Sequence, residues 1–433
     1  MSVPLDRLYN FLCSICDYNI IIYCFMPHGS KKLEDLLMFN DTSTDLPWIT
    51  RMTTPNIIFH DQEPLTYNLY TKKDLVNYVM EKNLFVPALV NFVASLHLRS
   101  CIVEPCHAYD QVLLCHSEQN SLELNTYEQN GFIGVYYWSH AVIARDWYRY
   151  AKLDPKLTVN FENITHDFLI YNRAWSGTRE YRLLLSEMLA NQELISCCNM
   201  TFSEFDHNAH YTQHVFANPN FAISRDDLHL LYPANKHDAN ASADYNSKDY
   251  ATTAIEVVLE TLFDDLRNHL TEKTLRPIAC GRPFILVATP GSLQYLKQYG
   301  FETFDGLIDE TYDTVLDPQK RLMIIVSEMN RISCLPPGEK ILLWSKLYAI
   351  AERNQKLFFS TEWHNQIVKE FKDNFDQGIK RLTATGKCWF EIDRIAETDP
   401  ELAALRARDL PGWRTLVERE QLENWIKQQN NQD

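Results

Sequence analysis

Thr271-Glu272-Lys273 stands where an acidic, basic-flecked loop gives way to an apolar segment. Threonine is a good N-cap, and an acid in the first turn suits the positive end of the macrodipole. Leu275 and Ile278 give the segment an apolar face, Gly281 stops it, and Pro277 should kink or delay it. A helix start offers unpaired N–H groups to an anion, and Lys273 adds charge at the same end. The Glu272 carboxylate can accept two hydrogen bonds from a ribose diol, so the group fits a sugar nucleotide. The competing reading is a surface Glu-Lys pair on an ordinary crossover helix. A second group is Arg173, Arg179 and Arg182, spread over a Gly-bearing loop and the helix start after it. Guanidinium forks there suit a diphosphate, or else they form a solvated, salt-bridged face.

Sugar transfer with inversion needs a carboxylate to take the acceptor's hydroxyl proton. Strand Asn56–Phe59 discharges into His60-Asp61-Gln62-Glu63-Pro64, which makes Asp61 and Glu63 the first candidates for that base. Strand Gln111–Cys115 discharges into His116-Ser117-Glu118, which makes Glu118 the next. Open α/β sheets build their sites at these strand ends. The bland alternative for each is a solvated loop. His28, in the glycine-bearing turn after Asn19–Phe25, and His140 and Arg145, after strand Gly134–Trp138, are candidates for the acceptor side. Tyr136, Tyr137, Trp138, Trp147, Tyr148 and Tyr150 lie beside Arg145 and Arg149, a pattern that fits a flipped base or bound strand as well as an amphipathic core helix.

The elements that must position these residues alternate strand and helix, the grammar of a parallel α/β sheet. Strands are expected at Asn19–Phe25, Asn56–Phe59, Gln111–Cys115 and Gly134–Trp138, then at Phe168–Tyr171, Thr252–Val258, Pro283–Val287 and Met323–Val326. Short helices fall at 183–189 and 291–299. Residues 193–249 read as irregular; His210 and His214 have HxxxH spacing without a clear helix, and no metal is assigned. From about 335 the chain turns helical, with Ile341, Leu342, Leu347, Ile350 and Ala351 on one face, continued by Trp363, Ile367 and Phe371. These elements divide the chain into lobes at 1–160 and 161–335 and a helical segment at 336–433; the resemblance described below implies that the first is the acceptor-side lobe and the second the nucleotide-binding one.

A chain of 433 residues can bury large cores. Its net charge of −16 argues against general coating of nucleic acid or of anionic membrane. No stretch reaches the length of a membrane span, and residues 1–18 read as an amphipathic helix rather than a signal peptide. The eleven cysteines are scattered and read as reduced thiols, and a cytoplasmic location is the expectation. Asp264-Asp265 is adjacent rather than spaced, so no DxD metal motif sits in a fitting place.

The block Leu259-Glu260-Thr261, Thr271-Glu272-Lys273 and Gly281-Arg282-Pro283 resembles the donor-binding signature of the α-1,3-fucosyltransferase family. It looks still more like phage-encoded glycosyltransferases that share this core. The resemblance covers about fifty residues, and Thr261 stands where the fucosyltransferases usually carry Asn. It implies a GT-B architecture, two Rossmann-like lobes, with a UDP-sugar or GDP-sugar donor on the C-terminal one. Glu272 would then hold the ribose, Lys273 the phosphates, and Glu260 would face the donor sugar or support oxocarbenium charge. Transfer would be independent of metal. The acceptor would be a hydroxylated cytosine base of phage double-stranded DNA, in the host cytoplasm, or a surface saccharide. A non-catalytic nucleotide-sugar binder is the remaining alternative.

Overall fold

The computed structural model describes residues 21–25, 56–60, 112–129, 132–234 and 244–384. His28, Asp61 and Glu63 lie outside them. The chain divides into two compact units, Met1–Ser139 with Val368–Asp433, and His140–Ile367. Each holds a four-stranded parallel sheet, so the α/β class holds. The division falls at 139/140 rather than near 160. The segment from 368 belongs to the first unit instead of forming a separate helical one.

In the first unit β1 (Ile21–Phe25), β2 (Asn56–His60), β3 (Val112–His116) and β4 (Phe132–Tyr136) pair in chain order, all parallel. Helix α1 (Leu122–Gln129) crosses from β3 to β4. A Cβ at Gly134 would stand 2.7 Å from Leu124 Cδ1 and 3.2 Å from His116 Nε2, so glycine lets β4 pass between them. Helix α2 (Ser139–Trp147) follows and, from His140 on, belongs to the second unit.

In the second unit the strands are β5 (His166–Ile170), β6 (Cys198–Met200), β9 (Thr253–Leu259) and β10 (Phe284–Val287). Between β6 and β9 lies a ribbon of two-residue strands, β7 (Phe205–Asp206) and β8 (Ala209–His210). The spatial order of the sheet is β10-β9-β5-β6. The chain therefore runs from β5 outward to β6, then returns past β5 to β9. Between β5 and β9 the winding reverses, and the crevice beyond their carboxyl ends is where such sheets receive ligands. All seven residues of β9 are buried, as its β-branched run dictates.

The helices of this unit are α3 (Tyr181–Asn191), α4 (Leu228–Leu231), α5 (Ser247–Thr252), α6 (Glu272–Ala279), α7 (Ser292–Gln298), α8 (Pro318–Ser333) and α9 (Pro337–Phe358); α10 (Thr361–Ala384) runs on into the first unit. Met323–Val326, expected as a strand, lies inside α8. Asp317 caps α8, Pro318 is its first residue, and Leu322, Ile325, Val326, Met329 and Ile332 are buried at helical spacing. On α9 the buried stripe is Leu343, Trp344, Leu347 and Ala351, whereas Ile341 and Leu342 face out. No helix of the described residues is long and apolar enough to cross a membrane.

Candidate functional site

Both chain segments that leave the reversal point are fixed by one buried acid. Glu260 follows β9 directly and has no exposed surface. Its Oε1 accepts from Thr271 N (2.9 Å) and Thr274 Oγ1 (2.5 Å), and its Oε2 from Thr271 Oγ1 (2.7 Å) and Thr261 N (3.1 Å). Its backbone carbonyl accepts from Tyr181 Oη (2.6 Å) and Arg182 Nη2 (3.1 Å), both at the start of α3. Glu260 thus ties the starts of α3 and α6 to the end of β9. The expected place against a donor sugar is corrected: four donors enclose the carboxylate, and its work is to brace the loop.

Thr271 is the N-cap of α6, its Oγ1 accepting from Lys273 N at 3.3 Å. Pro277 lies inside the helix, which still runs to Ala279. There Gly281, at φ 64°, lets Arg282 N reach back to Pro277 O (2.8 Å) and Gly281 N to Ile278 O (3.1 Å). The helix is buried along nearly its whole length, with Glu272 itself only 7% exposed. A surface Glu-Lys pair is therefore excluded.

Around Glu272 the charges converge. Lys273 Nζ stands 3.0 Å from Oε1, and His140 Nδ1 stands 3.2 Å from Oε2. His269 packs edge-on against the His140 ring, with centroids 5.3 Å apart. Burial alone would raise the Glu272 carboxyl; Lys273 and His140 outweigh it and hold it well below the ordinary range. Lys273 Nζ also donates to Thr271 Oγ1 (3.2 Å) and Thr261 Oγ1 (3.4 Å), and its side chain keeps 24% exposure. Beneath lies a buried ion pair, Arg276 to Glu256 at 2.5 Å, with Tyr250 Oη donating to the same carboxylate. Arg276 also lies against the Tyr171 ring at 4.5 Å.

The arginines separate into distinct roles. Arg182 is 3% exposed; it donates to Ala174 O (2.8 Å), Leu259 O (2.8 Å) and Glu260 O. It clamps the loop after β5 to the end of β9 and does not present its fork to a diphosphate, which corrects that expectation. Arg179 lies half-buried in the turn Gly177–Arg179. Arg173 is half-buried beside the Tyr171 ring at 5.5 Å. Burial lowers its pKa, the nearby Arg276 lowers it further, and Glu272 is close enough to oppose them. The loop itself is held from outside: Asp206 accepts from Trp175 N (2.9 Å) and Ser176 N (2.8 Å), and Glu180 accepts from Ala217 N (2.8 Å) and Asn218 N (3.0 Å).

Arg145 also leaves the expected site. Its guanidinium donates to Phe358 O and Phe359 O (3.2 Å), the carbonyls that end α9. A cation there satisfies orphan acceptors at the negative end of the helix. The stacking platform is not a surface: Tyr137, Trp138 and Tyr148 are at most 1% exposed, and of the six rings Tyr150 is the one that stands fully out, with Arg149 over it at 4.6 Å.

In the first unit His116, Ser117 and Glu118 are all buried at the end of β3. His116 and Glu118 open on a cavity of about 400 Å³ lined also by Asn120, Tyr136 and Asn374 among others. The His116 ring meets Tyr136 edge-on at 6.0 Å, and Asn374 donates to Tyr136 O at 2.9 Å. Of the three carboxylates expected as base, Glu118 is the one within the described residues.

Sequence reasoning missed His269, Asp206 and Glu180. His269 had a signal, two residues before the N-cap threonine; the other two act through backbone amides and leave none. No protein family, curated protein or solved structure matches this chain.

Proposed function

We propose that the chain is a glycosyltransferase of the GT-B kind that moves a hexosyl or pentosyl group from a UDP-sugar or GDP-sugar to an acceptor hydroxyl. The observation that carries this reading is the Glu272 carboxylate, held between Lys273 and His140 at a helix start beside the winding reversal of a parallel sheet. A carboxylate has about four lone-pair sites, and these contacts leave room for a ribose diol. Lys273 and Arg173 supply positive charge for the diphosphate, with the α6 N-terminus beside them. Glu260 and Arg182 keep that arrangement rigid. Side chains and a helix dipole stabilise the leaving diphosphate in this reading, so added magnesium or manganese is not required. A carboxylate of the first unit (Asp61, Glu63 or Glu118) takes the acceptor's proton.

The test pairs binding with transfer. UDP or GDP should raise the melting temperature of the wild type by mass action and raise that of Lys273→Ala less at the same concentration. UDP- and GDP-sugars are then incubated with DNA containing hydroxymethylcytosine and with simple glycosides. Mass gain on DNA identifies a DNA-modifying enzyme, and gain on glycosides alone identifies a saccharide-directed one. Burial of Tyr137, Trp138 and Tyr148 withdraws most of the stacking surface a flipped base would use, which favours the saccharide. Binding without transfer to any acceptor would refute the enzyme reading, and no binding of either nucleotide would refute the site. Asp61→Asn, Glu63→Gln and Glu118→Gln identify the base: one should slow transfer with donor binding intact.

A further inference from the structure

Glu204, His210 and His229 bring one ligand atom each to within 4.8 Å of one another, with His210 in β8, Glu204 just before β7 and His229 in α4. We propose that these three side chains form a zinc site that staples the ribbon to α4. His210 Nε2 and Glu204 Oε1 are 3.1 Å apart. Two ligands on one tetrahedral zinc, with bonds of about 2.0–2.2 Å, stand about 3.3–3.6 Å apart. That pair is therefore a few tenths of an ångström inside ligand spacing; a slight opening of it and a swing of the His229 ring complete a two-histidine, one-carboxylate set with water in the fourth position.

The groups behind the ligands fit as well. His210 Nδ1 lies 2.6 Å from Thr212 Oγ1, and His229 Nδ1 lies 3.3 Å from Tyr211 Oη. Such partners orient metal-bound imidazoles and fix their tautomers. Without metal, Thr212 N donates to His210 Nδ1 at 3.3 Å, so the ring proton sits on Nε2 and bridges to Glu204. On binding, the proton moves to Nδ1 and is donated to Thr212 Oγ1, the Nε2 lone pair turns to zinc, and the long bond from Thr212 N to Nδ1 is given up in exchange. The ring stays neutral and only the tautomer changes.

The ribbon has reason to need a staple. Strands of two residues each are marginal alone, and the turn holds two non-glycine residues at positive φ, His207 (47°) and Asn208 (66°). Asp206 of this ribbon holds the amides of Trp175 and Ser176, in the loop that carries Arg173. The zinc would stiffen that loop from behind, with no part in bond making, and the site stands whether or not the glycosyltransferase reading does.

The experiment is a zinc titration of the full metal-free chain against a chromophoric chelator, with His210→Asn/His229→Gln and His214→Asn alongside. Asparagine at 210 keeps a capping acceptor. Cysteine thiols also take zinc, so the comparison between variants isolates this site. The wild type and His214→Asn should bind one zinc at least about 100-fold more tightly than the double variant, more than is lost when only a group hydrogen-bonded behind a ligand is changed, and zinc should raise the melting temperature of those two alone. Glu204→Gln, at a half-exposed position, repeats the test if the double variant does not fold. Equal zinc uptake by the wild type and either ligand variant, or no tight zinc in the wild type, would overturn the proposal.

Discussion

Glu260→Gln should destabilise the second unit far more than its one-atom change implies. The carboxylate accepts backbone N–H groups on both oxygens, Thr271 N on Oε1 and Thr261 N on Oε2, and one hydroxyl on each. A glutamine can reverse its amide, but either orientation sets an NH₂ against one of those backbone donors. The hydroxyls of Thr271 or Thr274 can rotate to accept; a backbone N–H cannot. One buried donor is therefore stranded, at about 1–3 kcal/mol, and the charge assistance of the remaining bonds is lost, about 1 kcal/mol more. A total of roughly 2–4 kcal/mol is a large part of the stability of a domain. For a unit of roughly 200 residues each kcal/mol moves Tm by about 2–4 °C, so a drop of about 4–16 °C is expected. Differential scanning calorimetry reads it, with Thr274→Val as the control that removes a single bond and should cost about 1 kcal/mol. A Glu260→Gln melting temperature within about 1 °C of the wild type would refute the brace.

Other outcomes follow from the same geometry. Lys273→Ala should weaken nucleotide binding about 10-fold in calorimetric titration, the value of one charge-assisted contact, with little change in Tm because its head group is partly exposed. Arg182→Lys should cost about 2–4 kcal/mol of stability, since an ammonium cannot bridge three carbonyls held by a fork; guanidinium denaturation checks it. The folded pKa of Glu272 lies below its ordinary value of 4.5, so its contribution to stability is complete above that pH and is lost as pH falls through the depressed value. Wild-type Tm should therefore fall more steeply below pH 4.5 than that of Glu272→Gln.

Most strands of the two sheets were legible because each is a short apolar run between turn residues; β6 to β8, two or three residues each, were not, and lie in 193–249, which reads as irregular. Thr252–Val258 was expected and β9 is Thr253–Leu259; Pro283–Val287 was expected and β10 is Phe284–Val287. The α6 start was legible because an N-cap is a local event, settled between Thr271 and Lys273. Met323–Val326 misled because four apolar residues in a row satisfy either period, and what decides for a helix is the cap and proline a turn earlier. The arginines misled for a different reason. Charge and spacing are alike at Arg145, Arg173 and Arg182; which of them clamps carbonyls depends on strand ends and helix ends far away in the chain. Glu260 belongs to the same class, since its four donors come from 261, 271 and 274 only after the loop has closed.

Placement of the second unit inside the first in chain order fixes a sequence of events during synthesis. Domains fold as their residues leave the ribosome, ordinarily from the N-terminus. Here the inner unit is whole once Ile367 has emerged, whereas the outer one still lacks Val368 onward. The Tyr137 ring must wait for Phe371, its neighbour at 4.8 Å, and the Tyr136 carbonyl for Asn374. The half made first is thus finished last, and a nascent chain halted near residue 367 would carry a completed parallel sheet tethered to an open one.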